Sequence, residues 1–224
     1  MNKGYLITFE GGEGCGKSTQ IKLLSQFLKE YNFDYILSRE PGGATFGEAL
    51  RKILLDNKSD IDAKTEFLLM SSGRVDHVEK VVKPALERGQ IVVLDRFYDS
   101  SCAYQGYAGG LDLKDIKYIT DFAAGGCKPD LTFLLDISYE DGFDRKARDE
   151  NLRNLDRFEN KDKEFHDKVR LGYLEMAKKE PERFVVIDAT KSPEEINKKI
   201  VKEFLKRYVQ LGKKNESTEK SVDL

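Results

Sequence analysis

The residues that could do chemistry gather first in "GGEGCGKST", positions 11–19. Gly11, four further residues, then Gly16, Lys17 and Ser18 match the spacing of a phosphate-binding loop. Each part has a physical task. Glycines let backbone N–H groups turn inward around a polyphosphate. The lysine adds a point charge, and the serine hydroxyl can ligate Mg²⁺. The pattern needs a strand before it and a helix after it. Residues 5–10, "YLITFE", read as a buried strand, and residues 17–31 set Ile21, Leu24, Phe27 and Leu28 on one helical face. The helix N-terminus then points at the same anion.

The loop is short of positive charge. Lys17 is its sole basic residue, while Glu13 lies inside it and Glu10 beside it. Phosphoryl chemistry relies on positive charge spread over the reacting groups, so arginines must arrive from elsewhere. Arg39 follows the strand 35–38, Arg74 sits in a helical stretch, and Asp95-Arg96 closes the strand 91–95. In an open parallel sheet the strand C-termini face the ligand crevice. Arg39 and Arg96 therefore fall on the side of the loop, where a second anion would use them. The alternatives are an Arg39–Glu40 pair and a surface ion pair for Arg96. Arg145, Arg148, Arg153 and Arg157 crowd residues 139–159, a segment dense in charge and poor in apolar residues. It suits a lid that closes arginines over the phosphates; a solvated charged helix is the alternative.

The elements that must hold these residues follow from periodicity. Strands are expected at 5–10, 35–38, 91–95, 131–136 and 184–188, and helices at 17–31, 46–55, 62–88, 113–125, 163–179 and 193–209, with 139–159 beginning helical. Continuously apolar strands alternating with helices imply an α/β fold whose five-stranded parallel sheet is covered on both faces. The 224 residues suit one domain over 1–210, with a lid about 142–160 and a polar tail at 211–224 expected to be disordered. A composition of 39% hydrophobic and 35% charged residues is that of a globular chain, and a net charge of -2 argues against a nucleic-acid footprint. Three scattered cysteines, Cys15, Cys102 and Cys127, make neither a disulfide framework nor a zinc cluster. No apolar run reaches membrane-spanning length and the start runs straight into a strand, so a cytoplasmic protein is expected.

Two features lead away from chemistry. "NKSD" at 57–60 matches a guanine-reading motif, but it precedes the next buried strand, and no aspartate is followed three positions later by glycine. It reads as a solvated loop. His77 and His166 lie in helical patterns and read as surface or packing residues.

The ordered set "FEGGEGCGKST" (9–19), "REPGG" (39–43), "DRFYDSSCAYQG" (95–106), "KPDLTFLLD" (128–136) and "LDRFE" (155–159) resembles thymidylate kinase, over about residues 4–205. The resemblance is to the bacterial-type subgroup whose lid supplies arginines. It implies a P-loop nucleoside-monophosphate-kinase fold and transfer of the ATP γ-phosphoryl to dTMP. It implies that Gly11, Gly12, Glu13, Gly14, Cys15, Gly16, Lys17, Ser18 and Thr19 hold ATP. Arg39, Met70, Arg74, Arg96, Ser101, Tyr104 and Gln105 would hold dTMP, with Tyr104 near the sugar 2′ carbon. Lys17, Arg96, Arg148, Arg153 and Glu13 would act in catalysis, and Ser18 and Asp95 would hold Mg²⁺. Glu13 would face the gap between the substrates, whereas Glu10 caps or pairs locally. Met70 stands where many relatives carry a phenylalanine that stacks on thymine. Thr190 and its neighbours at 187–190 would lie beside adenine, and relatives imply a homodimer with helix 66–88 as one candidate interface. A kinase of the same fold with another nucleoside or nucleotide acceptor, and a non-catalytic nucleotide-binding protein, are the alternatives.

Overall fold

The computed structural model describes residues 4–148 and 156–219. Five strands, β1 (Tyr5–Glu10), β2 (Tyr35–Arg39), β3 (Ile91–Asp95), β4 (Leu131–Asp136) and β5 (Phe184–Asp188), form one all-parallel sheet in the order β2-β3-β1-β4-β5. The register pairs Phe9 with Asp95, Arg39 with Asp95, and Asp136 with Asp188. The polar C-terminal residues of all five strands thus reach the same edge, where the crevice of such a sheet opens.

Alternation along the strands divides the core. Ile7, Phe9, Val93 and Phe133 pack beneath α1 (Lys17–Glu30) and α9 (Pro193–Glu219). Leu6, Val92 and Leu94 point the other way, toward the long helical run of α3 (Ala63–His77), a wide π-helical turn over Val78–Val82, and α4 (Lys83–Glu87). Side chains on successive strand residues face opposite ways, so both faces of β1 and β3 need cover. Among the described residues no helix is long and apolar enough to cross a membrane.

Among the described residues, three helix starts carry aspartate side-chain caps. Asp62 accepts from the Lys64 and Thr65 amides at 2.9 and 2.8 Å ahead of α3, and Asp162 from Phe165 at 2.9 Å ahead of α8 (Lys163–Lys179). Asp112 caps α6 (Leu113–Ala124), and Gly125 ends that helix at φ 54°. Residues 57–60 form the turn between α2 (Thr45–Leu55) and α3. α9 runs past Val209 to Glu219, where apolar periodicity has stopped. A helix already nucleated and packed propagates without a new nucleation cost, here even through Gly212, Asn215 and Thr218. The segment after β3 holds a helix that periodicity did not reveal. α5 (Tyr98–Ser101) runs into a π-helical stretch, Cys102–Ala108, too short and too wide to show a 3.6-residue period.

Candidate active site

One cavity of about 690 Å³ lies across the C-terminal edge of the sheet. The loop from Glu13 to Ser18 lines one end, continuing to Lys191, Pro193 and Ile196 beyond β5. Arg39, Met70, Arg74, Arg96, Ser101, Tyr104 and Gln105 line the other end. Asp95 and Thr19 also lie on its wall. The sequence-predicted donor and acceptor residues thus share one space. Gly11 and Gly12 are not on its wall; their carbonyls instead accept from Lys17 Nζ at 3.2 and 3.1 Å. The lysine is folded over the loop, ready to exchange those carbonyls for phosphate oxygens.

Gly14 shows why the loop needs glycine. It sits at φ 67°, and a Cβ there would come within 2.0 Å of the Gly142 carbonyl. Gly142 belongs to α7 (Tyr139–Arg148), and a Cβ on it would meet the Glu13 carbonyl at 2.4 Å. The start of the expected lid therefore rests backbone to backbone on the phosphate loop. Lys146, on the same helix, lines the cavity and pairs with Glu159, while Arg145 donates to the Ala189 carbonyl at 2.6 Å. Arg157 pairs with Glu66, holding the far end of the lid to α3. Arg153 lies outside the described residues, as does the side chain of Arg148.

The centre of the cavity is a polar knot around Arg96. Its Nη2 donates to Glu13 Oε1 at 2.6 Å and to the Tyr104 hydroxyl at 3.0 Å, and Tyr104 donates in turn to Glu13 at 2.9 Å. Nη1 donates to the Gly11 carbonyl at 3.0 Å, to Tyr173 at 3.1 Å and to Ser100 at 3.3 Å. Burial pulls the Glu13 carboxyl up, but Arg96 and then Lys17 more than reverse it, and the group settles at about 2. Glu13 is thus a fixed anion. Arg96 stays a cation although buried, because the Tyr104 and Glu13 oxygens surround it. Tyr104 is both a core aromatic, 5% exposed, and a hydroxyl delivered to the site.

Arg96 occupies the left-handed region at φ 68°, a conformation that costs a non-glycine residue on the order of 1–3 kcal/mol. Glu10 holds that turn in place. Fully buried, it accepts from the Phe97 amide at 2.7 Å, the Ser100 hydroxyl at 2.7 Å and the Tyr173 hydroxyl at 2.8 Å. Burial, and then Asp99, push its carboxyl up to about 7 against the pull of Arg96. Glu10 does pair locally in space, yet its partners lie across the sheet. Arg183 locks Asp99 from below through bonds of 2.7 and 2.8 Å.

The remaining arginines divide. Arg39 is half exposed and pairs with Glu48 at 3.0 Å rather than with Glu40. Glu40 turns inward, accepting from Arg74 Nε at 2.8 Å and bonding His77 Nδ1 at 3.0 Å. Arg74 also donates to the Ser101 hydroxyl at 3.1 Å, and its Nη1 is buried without a partner. His77 is wholly buried between Glu40 and the Ser38 hydroxyl, 2.7 Å from its Nε2, and His166 is nearly buried and stacked on Tyr139; neither lines the cavity. Met70 packs against the cluster of Tyr104 and Phe158 while lining the cavity. Sequence reasoning missed Arg51, Lys146, Ser100 and Tyr173. All sit in helical stretches whose polar residues look solvated, and no local signal marks them as facing a cavity.

With this geometry in view, similarity can be weighed. The sequence pattern of the family described as "Thymidylate kinase" matches residues 9–200. A thymidylate kinase of Caldanaerobacter subterraneus is 45% identical over 207 residues, spanning 91% of this chain and 98% of that protein. One of Halothermothrix orenii is 46% identical over 198 residues, spanning 88% and 95%. The crystal structure of the Ehrlichia chaffeensis thymidylate kinase superposes with a TM-score of 0.72 at 33% identity, covering 90% of this chain and 99% of that one. A family match over residues 9–200 and identities of 45% and 46% over most of the chain show the membership: the chain belongs to the thymidylate kinase family.

Proposed function

We infer that the chain transfers the γ-phosphoryl group of ATP to dTMP, giving dTDP and ADP. What carries the reading is a single cavity with a phosphate loop at one end and Arg96, Arg74 and Gln105 at the other. The acceptor is a phosphate monoester whose second pKa is about 6. It is largely dianionic at neutral pH and needs no general base, in keeping with two buried histidines, neither of which lines the cavity. The obstacle is repulsion between two polyanions brought in line. Lys17 leaves the Gly11 and Gly12 carbonyls for donor oxygens. Arg96, with Arg39, receives the acceptor phosphate. Lid arginines 148 and 153 close over the transferring group, and Glu13 keeps Arg96 and Tyr104 aligned between the substrates. Tyr104 lies against the deoxyribose, Ser101 and Gln105 meet the nucleoside, and Met70 covers the base face. Methionine is polarizable enough to do so without ring stacking.

Asp95 and Ser18 suit Mg²⁺. Asp95 Oδ1 is buried without a partner among the described residues, and one carboxylate plus a hydroxyl suits an ion that keeps several waters and takes its other ligands from substrate phosphates. When bound, Mg²⁺ neutralises charge on the donor phosphates.

We further propose a cytoplasmic homodimer, with the helical run 66–88 as one candidate interface and α6 packed beside α3. These helices leave Leu68, Val75, Tyr118 and Phe122 exposed, the last two at 79% and 78%. Sedimentation of a Phe122→Glu variant should show monomer where the parent shows dimer. The activity itself is tested by a panel of nucleoside monophosphates with ATP and Mg²⁺, products resolved by chromatography. dTDP should dominate; a different preferred diphosphate, or none, would overturn the reading.

A further inference from the structure

The acceptor wall contains a buried carboxylate with no part in the chemistry above. Glu66 lies near the start of α3, and Met70 and Arg74 follow at four-residue steps on the same helix face. Met70 and Arg74 line the cavity, whereas Glu66 stands behind it, 6% exposed. Its Oε1 accepts from Gln105 Nε2 at 2.6 Å, and its Oε2 accepts from Arg157. Arg157 Nε also donates to the Leu54 carbonyl at 3.1 Å, so the buried charge is paired and its partner held.

The consequence falls on Gln105. An ionised carboxylate only accepts, so the end of the amide that faces Glu66 must be the NH₂ group. The amide oxygen is thereby committed to the other side. Gln105 lines the cavity, and its Oε1 is buried with no hydrogen-bond partner. Arg74 Nη1, on the same wall, is likewise buried and unpartnered. The acceptor wall thus holds, among the described residues, one buried unpaired acceptor and one buried unpaired donor. A pyrimidine with an N3–H beside a carbonyl oxygen satisfies both. Cytosine presents a bare N3 acceptor beside an amino group and mismatches both.

We propose that Glu66 sets the base selectivity of the acceptor site by locking the Gln105 amide with its oxygen committed to the base. The inference rests on the dTMP reading above and deepens it. Glu66 touches no substrate; it is a positioning residue that acts through Gln105. Replaced by glutamine, it could donate as well as accept, and the Gln105 amide could turn over to meet cytosine.

The test is kcat/KM of the full chain for dTMP, dUMP and dCMP with ATP and Mg²⁺. Glu66→Gln should lower the dTMP-to-dCMP ratio about tenfold, the size expected for one buried hydrogen-bonding group going unpaired. The dTMP-to-dUMP ratio should not move, because both bases present the same N3–H and O4 edge. Arg157→Lys, which keeps a cation beside the Glu66 carboxylate, should retain the parent dTMP-to-dCMP ratio. Should Glu66→Gln fail to fold because Arg157 loses its partner, the double variant Glu66→Gln/Arg157→Gln removes both charges and should show the same tenfold fall. A dTMP-to-dCMP ratio within twofold of the parent in the folded variant, with all three substrates weakened alike, reduces Glu66 to a structural ion pair and overturns the proposal. A parent enzyme that does not phosphorylate dTMP would overturn the acceptor reading itself, a result distinct from an unchanged ratio.

Discussion

The two ends of the cavity are built in opposite ways. The donor end is centred on one contiguous stretch, Glu13 to Thr19, with Lys191, Pro193 and Ile196 beyond β5, and would bind phosphate largely through backbone groups that glycine geometry exposes. The acceptor end draws on side chains from the ends of β2 and β3, from α3, and from the α5 region, with Tyr173 of α8 behind them. A backbone cradle is specified by which residues lack a Cβ. A side-chain cradle is specified by buried carboxylates that fix each group: Glu13 and Glu40 by ion pairs to Arg96 and Arg74, and Glu66 by a hydrogen bond from the Gln105 amide. The donor end should therefore fail through loss of charge or glycine. The acceptor end should fail through loss of buried partners.

The largest effect is expected at Lys17. Lys17→Ala should cut turnover by about 10³-fold or more while leaving the melting temperature near that of the parent, because the lysine bonds only loop carbonyls and Cys15 in the protein itself. A near-normal rate in a coupled ADP-release assay would remove the loop from the mechanism. Next in size, Arg96→Ala should cost about 10²- to 10³-fold in kcat/KM for dTMP, with ATP affinity little changed. If the loss appeared in ATP binding instead, the division between the two ends would be wrong.

The smallest effect sharpens the acceptor side through stability. Glu10 titrates at about 7 in the fold against an ordinary 4.5. Its folded value is raised, so the native state holds the proton more tightly. The associated stability is fully present below about 4.5 and is lost as pH rises through about 7. Denaturant melts from acid to neutral pH should show this decline in the parent and a flatter profile in Glu10→Gln. Equal slopes in both would show that Glu10 does not carry the change. Any loss of dTMP turnover in Glu10→Gln should follow the loosened turn at Arg96.

Legibility followed the same division. The loop, the five strands and most helices were readable because their signals are local: glycine spacing and apolar periodicity. Arg39, Arg74 and Arg96 were found by their placement after strands or by resemblance. Their partners were not found. Arg39 pairs with Glu48 and not with its neighbour Glu40, since the turn after β2 sends Glu40 inward to Arg74 and His77. Glu10 read as a local cap, and its three partners at Phe97, Ser100 and Tyr173 lie far along the chain. The short helix after β3 left no periodic trace.

By itself the sequence determined the alternation of strands and helices, the phosphate loop and the shortage of positive charge within it. These depend on the properties of neighbouring residues: φ freedom, apolar period and side-chain charge. Only the tertiary structure decided which acid neutralises which base, that Gly142 lays α7 on Gly14, and that Glu66 accepts from the Gln105 amide. Those outcomes depend on distances between groups brought together by the parallel sheet, and no local spacing encodes them.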